Sequence, residues 1–140
     1  MALNETLTLE VATPLGLVLK TDASSVAAPS VNGEFGVFAG HLPLLAAVKP
    51  GLLKYKSAGK DYVAAVSAGF VEAGPAKVLL LTDMFALPKD IDETAVRAEL
   101  AEAEKTLLAF KDRYEGNQYD ELQRKLDWCN ARLAAKAADR

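Results

Sequence analysis

A change of character at Pro88 constrains the fold more than any other feature of this chain. All six prolines and eight of the nine glycines lie at or before it. The 52 residues that follow hold only Gly116 and carry 22 of the 35 charged side chains. Proline and glycine punctuate strands and tight turns, and both weaken helix interiors. Their disappearance together with a rise in charge marks a passage from turn-rich sheet to amphipathic helix. Within Leu87-Pro88-Lys89-Asp90 the proline disfavours helix at the residue before it, and an acidic pair can open a helix after it. Two units are expected, 1–87 and 88–140.

Before the break the hydrophobic period is two. Leu7, Leu9 and Val11 alternate with Thr6, Thr8 and Glu10, and Leu53 and Tyr55 alternate with Lys54 and Lys56, so each segment turns one face to a core. Tyr62 to Val66 and Val78-Leu79-Leu80-Leu81 read as further strands. Asn32-Gly33, Pro50-Gly51, Ala58-Gly59 and Gly74-Pro75 supply turns between them. After the break the period lengthens. Val96, Leu100, Ala103, Leu107, Phe110 and Tyr114 form one helical stripe, and Tyr119, Leu122, Leu126, Cys129, Leu133 and Ala137 form a second beyond Glu115-Gly116-Asn117. Either Asp90, in a capping box with Glu93, or Asp92 starts the first helix. The chain therefore reads as α+β in two parts: a small N-terminal antiparallel β-sandwich or barrel, followed by a C-terminal antiparallel α-helical hairpin.

Stripes this thin bury little apolar area against the ~1–2 kcal/mol of backbone entropy that each ordered residue costs. The hairpin is expected to be marginal and to lean on the sandwich or on a partner. From Arg124 to Arg140 five basic residues (Arg124, Lys125, Arg132, Lys136, Arg140) face two acidic ones. This pattern suits a solvated face that complements the helix dipole, and equally a basic prong for an acidic surface. Trp128 lies off the main stripe and reads as an interface residue, while Cys129 reads as a small apolar member of the stripe.

The net charge of −3 is not the basic footprint of a nucleic-acid binder. A lone cysteine with no Cys/His cluster predicts no disulfide and no metal site, and no cofactor is expected. The N-terminus has no signal-like pattern and no segment approaches the ~20 apolar residues of a membrane span, so a cytoplasmic protein without direct membrane insertion is expected.

Gly33-Glu-Phe-Gly-Val-Phe-Ala-Gly-His-Leu-Pro-Leu-Leu45, then Lys49-Pro-Gly-Leu-Leu53, resembles the signature of ATP synthase ε subunits, and Ser67-Ala-Gly-Phe-Val-Glu72 continues the likeness. Gly33, Gly36 and Gly40 are expected to turn the backbone through positive φ, giving a rigid shaped loop. Without a lysine or a following helix it is no P-loop. His41, the only histidine, has no triad-like neighbours and reads as a turn residue rather than a catalytic base.

The resemblance implies an N-terminal antiparallel β-sandwich of about ten strands ahead of the hairpin, in a non-catalytic rotor subunit of a proton-translocating F-type ATP synthase, peripheral on the cytoplasmic face of the bacterial inner membrane. Its partners would be the γ subunit, the c-ring and the α and β subunits. The resemblance puts Glu34 at the c-ring and His41 at γ. It gives Arg124, Arg132, Lys136 and Arg140 contacts to the catalytic subunits when the hairpin extends and blocks hydrolysis. Some family members bind ATP through a motif resembling Ile/Leu-Asp-x-x-Arg-Ala. Here two extra residues separate Asp92 from Arg97 and rotate the arginine by about 200°, so weak or absent ATP binding is expected. One rival is a β-sandwich binding module with a helical self-association tail, which leaves the ordered signature unexplained. A small enzyme built on the 33–40 loop ranks last, for want of a paired acid and base or a nucleophile.

Overall fold

The computed structural model describes residues 6–40, 43–109 and 117–139. Ten strands come first: β1 (Leu7–Thr13), β2 (Gly16–Ala23), β3 (Ser25–Ser30), β4 (Gly33–Phe38), β5 (Leu44–Val48), β6 (Gly51–Ser57), β7 (Lys60–Val66), β8 (Gly69–Ala73), β9 (Lys77–Thr82) and the short β10 (Phe85–Ala86). A 3-10 turn, Pro88–Asp90, leads to helices α1 (Glu93–Ala109) and α2 (Asn117–Ala138). The α+β layout is as the change of period predicts.

The strands form one sheet in the order β10-β7-β6-β3-β5-β8-β9-β1-β2, with β4 paired to β3. The sheet curls back on itself. Ser57 Oγ on β6 donates to the Asp22 carbonyl on β2 at 2.7 Å, and the Ser24 N–H donates to the Lys56 carbonyl at 2.9 Å. A nearly closed sandwich results, which leaves little open edge to pair with other chains. The pairing of β1 with β9 is parallel, from Thr8 opposite Lys77 to Ala12 opposite Leu81, and is the exception in an otherwise antiparallel sheet.

Register sorts the side chains. Ala46, Val71, Leu80, Val11 and Leu19 stand opposite one another across β5, β8, β9, β1 and β2, and all of them pack in the main core. A bulge between Val11 and Ala12 lets Ala12 face Leu17 and leaves Val18 as the extra residue on β2, the usual effect of an inserted residue on one side of a ladder.

A second, separate core lies under the helices. Leu52 of β6, Ala65 of β7 and Ala86 of β10 are register neighbours on the outer face of that part of the sheet. They pack with Ile91, with Val96 and Leu100 of α1, and with Trp128, Cys129, Ala131, Leu133 and Ala135 of α2. The end of β7 is therefore buried on both sides: Val66 belongs to the sandwich core and Ala65 to the helical one. Glu99 early in α1 meets Arg132 late in α2, so the helices run antiparallel.

Three expectations change in detail. Asp92, not the Asp90–Glu93 pair, caps α1, its Oδ1 accepting the Ala95 N–H at 3.1 Å; Asp90 is taken up in the 3-10 turn. On α2 Ala137 is exposed, whereas Ala131 and Ala135 are buried, because α2 packs on the sheet as well as on α1. Residues 33–38 form strand β4 rather than a loop. Gly33 and Gly40 do take positive φ, at 112° and 87°, but Gly36 lies mid-strand opposite Ala27. Phe110, Tyr114 and Gly116 lie outside the described residues.

Candidate functional site

The two outer faces of the sandwich differ in what covers them. On the helix side, the row Leu52–Ala65–Ala86 is roofed. On the other side the row Ala47–Phe70–Leu81–Ala12–Leu17, again in direct register across five strands, has no roof among the described residues. Phe70 is 58% exposed, Leu81 49% and Leu17 57%, and Leu45 nearby is 70% exposed. A shallow groove of about 550 Å³ runs beside Phe70 and Leu81, walled by Pro14, Gly69 and Asp83. A contiguous apolar strip in open solvent is how a soluble protein presents a partner surface. Charges border it: Glu10 is held by Lys77 at 3.2 Å and by Lys20 at 4.0 Å.

Glu34 sits on β4 opposite Pro29 and forms an ion pair with Lys54 at 3.1 Å, its side chain half-exposed. Such a pair at the surface is worth about 0–1 kcal/mol, so the carboxylate can exchange partners at little cost. His41 lies outside the described residues. Just before it, the Gly40 N–H donates to the Pro75 carbonyl at 2.7 Å, which ties this connection to the β8–β9 turn.

The basic residues of α2 do not form one surface. Arg124 and Lys125 are exposed on the lip of a cleft of about 400 Å³ between α2, Glu99 of α1 and the sheet-side residues Pro50, Ser67 and Met84. Arg132 is inside this cleft. Its Nη2 is 2.9 Å from Glu99 Oε2, its guanidinium lies 5.2 Å above the Trp128 ring, and it donates to Cys129 Sγ at 3.4 Å. Lys136 Nζ donates to the Pro88 carbonyl at 3.0 Å, which fastens the end of α2 to the 3-10 turn. Arg140 lies outside the described residues. Trp128, read from sequence as an interface residue, is half-buried in the helical core beneath Arg132. Burial raises the Cys129 thiol above its ordinary value, and neighbouring Arg132 partly offsets the rise.

Asp92 and Arg97 are not brought together on one ligand-facing surface. The Asp92 carboxylate is used as a helix cap. Arg97 is exposed and bonds the carboxylate of Glu93, one turn earlier, through both Nε (3.1 Å) and Nη2 (2.9 Å).

Sequence reasoning missed Glu99 and the exposed row. Glu99 is one acid among many on α1 and carries no signal until the helices are packed. The row did leave a trace: Leu79-Leu80-Leu81 and Phe70-Val71 are apolar at consecutive strand positions, which puts apolar side chains on both faces of a sheet whose outer face has no need of them.

Among the described residues no group of three or more His, Cys, Asp or Glu side chains could hold a metal ion, and no helix is long and apolar enough to cross a membrane. Residues 6–88 match the family model described as ATP synthase, Delta/Epsilon chain, beta-sandwich domain. The ATP synthase epsilon chain of Magnetococcus marinus is 35% identical over 130 residues, 93% of each chain. That of Desulfosudis oleivorans is 42% identical over 104 residues, 74% of this chain and 78% of its own. A chain in the cryo-EM structure of the Euglena gracilis mitochondrial ATP synthase (OSCP/F1/c-ring, rotational state 1) shares the fold, with a TM-score of 0.78 at 20% identity over 100% of this chain and 85% of that one. A sandwich whose one outer face is left apolar and uncovered among the described residues, a helical pair on the other, a family model matching residues 6–88 and relatives matched over more than three quarters of their length leave one assignment: this chain belongs to the ATP synthase epsilon chain family.

Proposed function

We propose that this chain is a non-catalytic central-stalk subunit of a proton-translocating F-type ATP synthase, held at the cytoplasmic face of the bacterial inner membrane by its partners. Residues 1–87 form the rotor-binding unit and 88–140 the regulatory hairpin. The observation that carries the reading is the bare row Ala47–Phe70–Leu81–Ala12–Leu17, an apolar strip suited to a γ subunit that runs alongside it. His41 joins that contact, and Glu34 leaves Lys54 to meet the polar loops of a c-ring. Through these contacts the sandwich transmits c-ring rotation to γ and the catalytic head.

The hairpin restrains ATP hydrolysis when it leaves the sheet and Arg124, Arg132, Lys136 and Arg140 meet acidic segments of the α and β subunits, with charge complementarity supplying orientation. ATP is not its ligand here, because the carboxylate of Asp92 and the guanidinium of Arg97 serve the helix itself. A self-association tail is disfavoured: Leu126, Cys129, Ala131 and Ala135 are already buried within the chain. Purification of tagged protein from detergent-solubilised membranes, followed by native mass spectrometry, tests the assignment. One copy bound to γ, α, β and c subunits is expected. A lone monomer or a homodimer would refute it.

A further inference from the structure

Of the four cations assigned above to an acidic partner, Arg124 is exposed in the folded hairpin, whereas Arg132 and Lys136 are occupied. Arg132 is the more deeply engaged, its side chain only 17% exposed. Glu99 holds one edge of the guanidinium, Trp128 lies under its face and Cys129 Sγ accepts a bond from the same Nη2 that meets Glu99. A guanidinium can use its edge and its face at once, which an ammonium cannot. Trp128 and Cys129 stand on α2 itself, within one turn of Arg132; the ion pair with Glu99 alone crosses to α1, and that pair exists only while α1 and α2 lie together.

We propose that Arg132 is the catch of the hairpin. Glu99 occupies its charged edge in the folded form, and an acidic partner can have it only after the helices part, so folding and partner binding compete for one side chain. Glu99 sets the balance: it competes with the partner's carboxylates without touching the partner itself. The partner half of this inference rests on the reading of the basic helix given above, and the catch itself does not.

The first measurement is amide hydrogen exchange of α2 in the full isolated chain, a readout that does not depend on the Cys129 thiol's own titration. Glu99→Gln keeps the size of the side chain and removes its charge. It should raise exchange across residues 126–135 by about fivefold, the scale of one partly exposed ion pair. The double reversal Glu99→Arg with Arg132→Glu should restore protection. Unchanged exchange in Glu99→Gln would overturn the catch.

The second measurement is ATP hydrolysis by the enzyme reassembled with each variant. Glu99→Gln should inhibit more than the natural chain. Arg132→Gln should loosen the hairpin equally in exchange yet fail to deepen inhibition, because the released contact is the one the partner needs. Equal gains in inhibition from both variants would show that the partner does not use Arg132 and would overturn the competition. If both loosen the hairpin while hydrolysis stays unchanged, the catch stands and the inhibitory reading of the basic helix fails.

Discussion

A Cβ on Gly69 would fall 1.8 Å from the Leu81 carbonyl oxygen, a backbone atom that cannot swing aside. Gly69→Ala must therefore pull β8 from β9, and a loss of about 3 kcal/mol in chemical denaturation is expected. Gly36 belongs to the same sequence signature but has no atom nearer than 3.9 Å to such a Cβ and no positive φ. Gly36→Ala should change stability by no more than about 0.5 kcal/mol. Two glycines that look alike in the sequence thus differ entirely in what they permit.

Cys129 makes a prediction in pH. Burial raises its pKa in the folded chain above the ordinary 9.0, so the folded state holds the proton that the unfolded state releases first. Its contribution to stability is complete below 9.0 and is lost as pH rises through the raised folded value. Helix ellipticity in thermal melts should show an alkaline loss in the natural chain that Cys129→Ala lacks. Tyr55, raised by burial and by neighbouring Tyr62, titrates within the sandwich core and should affect both proteins alike.

At the scale of the element, α1 depends on its first turn. Asp92→Ala removes the side-chain acceptor for the Ala95 N–H and should cost α1 about 1 kcal/mol, seen as faster amide exchange over 95–100. Asp90→Ala should have a smaller effect, since its carboxylate caps nothing in α1. Strands and helices were legible because their periods, two and 3.6, follow from which face each element buries. The strand Leu7–Thr13 and the stripe Val96–Ala103 lie where alternation and helical spacing put them. Less legible was α2, because a helix buried on two sides has no single stripe. Alanines 131 and 135 carry too little hydrophobicity to announce that they meet a sheet. The catch was invisible for a related reason: Glu99 and Arg132 are thirty-three positions apart, and only the packing of α1 on α2 pairs them.

The whole molecule is two cores that share a wall. The sandwich core and the helical core have no residue in common, and β7 stands between them with Val66 on one side and Ala65 on the other. A chain ending at Leu87 should keep a folded sandwich, with cooperative melting, while newly exposing the apolar floor of Leu52, Ala65 and Ala86. On the opposite face Phe70→Glu should leave the melt of the isolated chain nearly unchanged, because Phe70 is already more than half exposed. The same change should abolish recovery with γ in native mass spectrometry. None of the three floor residues beneath the helices belongs to the sandwich core, and lifting α2 from them opens no void in the sandwich below. If the chain works as proposed, its hairpin can be governed without the opposite face being disturbed. Under the function proposed above, the regulatory message would be carried by where the helices rest, and the surface proposed to meet γ would not have to change shape to deliver it.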